Sequence, residues 1–156
     1  MRQRGYTYIG LLIFIVLMGT VLAAAGVLWR TQAQREREAE LLFTGRQFAA
    51  AITLFYERAP AGQRPRFPAR LEEMLDDRRW PTTTRQLRHV YVDPMTGKPE
   101  WGIVRAPDGG IMGVYSLSRE VPIKRAGSGA PYDDFASASS YQDWRFVYVD
   151  PAKTDN

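Results

Sequence analysis

The residues able to do chemistry are few in this chain. His89 is the single histidine, so a Ser-His-Asp arrangement could draw on no other base. It stands beside Arg88 at the head of the apolar run HVYV, where it reads as structural. Glu72, Glu73, Asp76 and Asp77 are the densest group of carboxylates. General acid-base work needs two such groups aimed at one point. At helical spacing these four lie opposite Leu71, Met74 and Leu75, which is the pattern of a solvated face. Trp101, Trp144, Tyr115 and Tyr148 could stack on a ligand, but on strands they read as core. The chain has no cysteine, so disulfides, thiolate catalysis and cysteine-ligated zinc are excluded. It also lacks G-x-S-x-G, a P-loop, G-x-G-x-x-G and H-E-x-x-H. No catalytic residue, cofactor or metal is expected, and the chain does not read as an enzyme.

The elements that would position these residues divide the chain unevenly. From Tyr6 to Trp29 run 24 residues without a charge. As a helix they would rise ~36 Å, enough to cross a hydrocarbon layer of ~30 Å with some tilt. The run does not stop at a linker. Residues 31–56 contain no proline and one glycine, Gly45, and are rich in helix formers. Leu41, Phe48, Ile52 and Phe55 recur at spacings of seven, four and three, one stripe of a helix. Arg35, Glu36, Arg37, Glu38 and Glu40 read as a solvated stretch just outside the bilayer. One continuous helix is therefore predicted from about Tyr6 to about Arg58, apolar all round at first (6–29) and amphipathic afterwards (30–58).

Pro60, Gly62, Pro65 and Pro68 break that helix. Leu71, Met74 and Leu75 then give a short helical turn that Pro81 ends. From His89 onward the pattern is β. HVYV leads through the turn signal Asp93-Pro94-Met95-Thr96-Gly97 into EWGIVRA, and Pro107-Asp108-Gly109-Gly110 turns the chain into IMGVYSLS. A loop rich in Gly, Ser and Ala spans about Arg119 to Ser140. The last predicted strand is WRFVYV, with Trp144, Phe146 and Tyr148 on one face. The fold class is α+β, a long helix and a small antiparallel sheet. Such a sheet needs a cover for one face. The stripe from Leu41 to Phe55 can supply it, which leaves the first half of the helix to project as a membrane stalk.

Five residues, Met-Arg-Gln-Arg-Gly, precede the apolar run, which opens Tyr6-Thr7-Tyr8-Ile9-Gly10. A short basic leader ending in Gly, then an aromatic, Thr and an apolar helix, resembles the prepilin signal of type IV pilins and type II secretion pseudopilins. Phe67 to Leu75, followed by Tyr91 to Pro99, is similar to a passage of the major pseudopilin, and Tyr115 to Ser118 with Asp143-Trp144 echoes that family's C-terminal strands. The resemblance implies a leader at 1–5, cleaved after Gly5 by a prepilin peptidase, and N-methylation of Tyr6. It implies an anchor in the bacterial inner membrane and a periplasmic globular domain over 59–156. It also implies a structural role in a filament, with other pseudopilins, secretion-system membrane components and membrane lipid as partners. No nucleic-acid partner is expected, because the net charge of +4 falls to +2 without Arg2 and Arg4.

The chain departs from that family in places. Where most members carry a glutamate in the anchor, this chain has Gly10, and Val27 stands where a proline is common. The major pseudopilin binds calcium in a C-terminal acidic loop. Asp133 and Asp134 fall in that region without a recognisable ligand spacing, so no metal is assigned.

Three readings of the chain are open. The first is a filament subunit, a minor one. The second is a single-pass membrane protein whose periplasmic domain binds a ligand or partner without polymerising. The third is a secreted protein cut by an ordinary signal peptidase at Ala23-Ala24-Ala25, which would strand the amphipathic half-helix. Eight arginines lie between Arg58 and Arg88 with four acids interleaved, and read as solvated surface. A subunit touching DNA through Arg64–Arg88 is a variant of the first reading. Arg2 and Arg4 lie on one side of the apolar run and Arg30, Arg35 and Arg37 on the other, so the charge rule for orientation gives no winner.

Overall fold

The computed structural model describes residues 4–82, 84–124, 129 and 131–150. One helix, α1 (Arg4–Glu57), accounts for the whole first part of the chain. It already includes Arg4 and Gly5 ahead of the apolar run, since a lone glycine weakens a helix by only ~1 kcal/mol and does not stop it. It ends where expected. Arg58 N still donates to Leu54 O at 3.0 Å, and the residue before Pro60 is pushed out of the helical region. The chain divides into two compact units, Met1–Glu36 and Arg37–Asn156.

Within the second unit, α1 packs on a three-stranded antiparallel sheet of order β1-β2-β3: β1 (Gly102–Arg105), β2 (Ile111–Tyr115) and β3 (Phe146–Val147). Gly102 faces Tyr115 and Val104 faces Gly113, with a bulge between Val104 and Arg105. Val114 faces Phe146 on the other side. The turn at 106–110 closes through Ala106 N to Gly110 O at 2.9 Å, with Gly109 at φ +83°.

The predicted stripe is the helix side of the core. Leu41, Phe48, Ile52 and Phe55 are each fully buried, and at ~1.5–3 kcal/mol per large apolar side chain they are a main source of stability. Phe48 meets Trp101 edge-on, ring centres 5.0 Å apart, and Tyr91 at 5.8 Å. At Gly45 a Cβ would run into the ring of Phe146, so glycine lets β3 approach the helix backbone. Trp144 and Phe146 are fully buried, as their shared face predicted, and Tyr148 is half-buried.

The β region is shorter than the sequence pattern suggests. HVYV is not a strand. Tyr91 O is taken by the Trp101 indole N–H at 2.8 Å, and Asp93 N and O are occupied by Lys98 and Gly97, so the segment has too few free backbone groups for a ladder. β2 stops at Tyr115 because the Ser116 hydroxyl turns the chain by accepting from Ser118 N at 3.1 Å. WRFVYV pairs only at Phe146–Val147, with one further bond from Tyr148 N to Met112 O at 2.7 Å. Trp144 is instead held at the end of a 3-10 turn, Tyr141–Asp143. The loop at 119–140 contains another 3-10 turn, Asp133–Ser137.

Candidate functional site

The first unit offers a continuous apolar surface. From Tyr6 to Trp29 the large apolar side chains are exposed, from 45% at Leu12 to 84% at Tyr6. The helix is long and apolar enough to cross a membrane, with a mean hydropathy of 2.7 over its most apolar window. Two of its hydroxyls are satisfied within the helix. The Thr20 hydroxyl donates to Leu17 O at 2.7 Å and Thr31 to Val27 O at 3.1 Å. Such back-bonding removes a hydroxyl that hydrocarbon could not solvate. Tyr6 and Tyr8 mark one end of the run and Trp29 the other, aromatic types that favour membrane interfaces. Around Gly10, Gly19 and Gly26 no atom of the chain would meet an added Cβ, so another helix could approach the backbone there.

Among the described residues, three buried carboxylates organise the second unit. Glu38, expected in solvent, is 2% exposed. It accepts hydrogen bonds from the Tyr141 hydroxyl at 2.8 Å, Ile123 N at 2.6 Å and Lys124 N at 3.2 Å, which ties the 119–140 loop to α1. Asp93 is fully buried and accepts from Ser116 Oγ at 2.7 Å, Met95 N at 2.9 Å and Thr96 Oγ1 at 3.0 Å. It therefore fastens the Asp93–Gly97 turn to the end of β2.

Asp77 is the third, and it corrects the reading of 72–77 as one solvated face. Glu72 and Asp76 are exposed, but Asp77 is 2% exposed. The 3-10 helix Leu71–Met74 ends before Asp77, and the chain beyond it turns inward, with Asp77 N donating to Thr84 O at 3.0 Å. Arg79 holds Asp77 with two guanidinium bonds, 2.8 Å to Oδ1 and 2.7 Å to Oδ2, and Gln86 adds one at 3.1 Å. Burial pushes the Asp77 carboxyl up. The hydrogen bonds and charge of Arg79, with help from Gln86, outweigh that, and its pKa lies below the ordinary 3.8. Arg79 also donates to Phe55 O at 2.7 Å and lies 3.6 Å from the centre of the Phe55 ring. It thereby caps the last turn of α1, which has no basic residue of its own.

The remaining candidates stay dispersed. The processing pair Gly5 and Tyr6 both lie inside α1, and Met1–Gln3 fall outside the described residues. His89 is exposed and rests on Tyr91, ring centres 4.2 Å apart. Asp133 and Asp134 are exposed on their 3-10 turn, and among the described residues no three His, Cys, Asp or Glu side chains are grouped to hold a metal ion. Trp101 and Trp144 are buried, and Tyr115 is half-buried. Sequence reasoning missed Glu38 as an anchor, although it stands three residues before Leu41 and so in phase with the stripe. Compared with family models, curated proteins and solved structures, the chain matches none.

Proposed function

We propose that the chain is a structural subunit of a type IV pilin-like filament, of the type II secretion pseudopilin kind, and that it acts by assembly rather than catalysis. The observation that carries this reading is the helix. An uncharged run from Tyr6 to Trp29 with its large apolar side chains exposed passes without a break into residues whose buried stripe covers a small antiparallel sheet. A membrane segment built into the same helix as a domain core suits a subunit that is anchored first and stacked later. The basic leader and the Gly5–Tyr6 junction support processing by a prepilin peptidase. On this reading residues 6–29 lie in the bacterial inner membrane and residues 59–156 in the periplasm, with other pseudopilins, secretion-system membrane components and lipid as partners.

Intact-mass analysis of the protein, co-expressed with a prepilin peptidase, tests the reading. The mature chain is expected to begin at Tyr6 with one added methyl group and to stay in the membrane fraction. A mature chain that begins at Gly26 would establish an ordinary signal peptide, and an uncleaved chain would favour the single-pass protein that does not polymerise.

A further inference from the structure

The net charge of the chain lies in its first part. Residues 1–35 hold Arg2, Arg4, Arg30 and Arg35 and no acid, whereas residues 36–156 hold 17 Lys and Arg against 17 Asp and Glu. Arg30 and Arg35 follow the apolar run, and both are exposed. Trp29 before them is 80% exposed. Among the described residues neither arginine has an ion-pair partner. The nearest acid in sequence, Glu36, already accepts from Gln32 Nε2 at 3.0 Å.

Their spacing sets the level they reach in a bilayer. With Trp29 at the edge of the hydrocarbon, Arg30 lies ~1.5 Å beyond it along the helix axis and Arg35 ~9 Å beyond it. The headgroup layer is ~5–8 Å deep on each side, and a long arginine stem can lay its charged end back along the helix. Both guanidiniums therefore reach the plane of the lipid phosphates. They stand ~140° apart around the helix, so they address separate lipids rather than one.

We propose that Arg30 and Arg35 form a collar that selects anionic phospholipids, of the phosphatidylglycerol kind, in the leaflet at the Trp29 end. The guanidinium fork matches a phosphate, and an anionic lipid, unlike a zwitterionic one, brings no ammonium of its own to compete for it. A lipid is favoured over a soluble anion because the collar begins one residue past an exposed apolar run, at the depth where headgroups lie. Orientation gives a second ground. On the proposed reading this end is periplasmic, the side on which Arg and Lys beside a span are disfavoured. Removal of residues 1–5 leaves Arg30 and Arg35 as the only charged side chains before Glu36, and bound anionic headgroups offset them. The inference rests on the reading of residues 6–29 as a membrane span.

The test uses the unprocessed full chain in phosphatidylcholine vesicles with a trace of spin-labelled lipid, whose spectrum gives the share of label held at the protein. Arg2→Gln and Arg4→Gln are introduced throughout, so that the other end of the run is silent. Labelled phosphatidylglycerol should associate about fivefold more tightly than labelled phosphatidylcholine. Adding Arg30→Gln and Arg35→Gln should abolish that preference, and Arg88→Gln, which removes an exposed charge from the second unit, should leave it unchanged. No preference, one that survives the collar variant, or equal loss in Arg88→Gln would overturn the proposal. Loss of the preference on adding inorganic phosphate at constant ionic strength would assign the arginines to soluble anions and overturn it equally. Alkaline carbonate extraction of the same vesicles separates this from the membrane reading. A chain that resists extraction yet shows no preference overturns the collar alone, and a chain that is extracted overturns the span and the collar together.

Discussion

At Gly45 helix propensity and packing pull in opposite directions, and packing wins. Alanine would favour the helix by ~1 kcal/mol, but its methyl would collide with the Phe146 ring, which is fully buried and has nowhere to go. Overpacking of this kind costs ~1–3 kcal/mol. Gly45→Ala is therefore expected to lower the thermal midpoint, read from the fluorescence of the buried Trp101 and Trp144. A rise would show that Phe146 can shift. Asp77 makes a second case, with a pH sign. Its pKa in the folded chain is below the ordinary value, so its contribution is present above an unfolded-state pKa of ~3.9 and is lost as pH falls through the lower folded value. Asp77→Asn should flatten that acid limb of stability against pH. Arg79→Met should cost ~3–5 kcal/mol at neutral pH by leaving the Asp77 charge buried without its partner. An acid limb that is the same in Asp77→Asn would place the titration elsewhere.

The elements were legible in proportion to their periodicity. A stripe repeated over four turns specified α1 and its buried side, because every member had to point the same way to bury anything. Glu38 and Gly45 share that phase but were not read as part of the stripe, since periodicity is counted on apolar types and neither is one. HVYV looked like a strand because its residue types suit one. Whether its carbonyls were free depended on Trp101 and Lys98, up to ten residues away, and no local pattern carries that. Asp77 was misplaced because the helical period was carried past Met74, where the 3-10 helix ends. The helix–sheet pairing leads to a prediction at this scale. Residues 31–156 should form a soluble monomer, since Arg37–Asn156 is a compact unit with its own core. Residues 59–156 should aggregate, because removing the stripe bares the sheet's apolar face. Sedimentation of the two fragments decides it, and a monomeric, cooperatively folded 59–156 would show that the helix is not needed to complete the core.

For the whole molecule, the proposed assembly turns on Gly10. An acid in the apolar run would cost ~2.5–3.5 kcal/mol at the bilayer centre unless a neighbour's ammonium met it. Gly10 can make no such pair, so this subunit should join a filament through apolar packing and should not build a long homopolymer. Overexpression with a secretion apparatus, followed by electron microscopy with subunit-specific labels, should show sparse or terminal labelling, and Gly10→Glu should extend it. Long filaments of the unaltered chain alone would sink the idea. The Glu38 clasp has a consequence of another kind, in time. Its carboxylate waits for Ile123 and for Tyr141, which is 103 residues further on. At ~5–20 residues per second, translation takes on the order of 5–20 s to supply Tyr141 after Glu38. Throughout that interval Leu41, Phe48, Ile52 and Phe55 have been made while Phe146 has not. The newborn helix must therefore travel with its amphipathic side uncovered, a natural target for a holding chaperone, until the last strand arrives to close it.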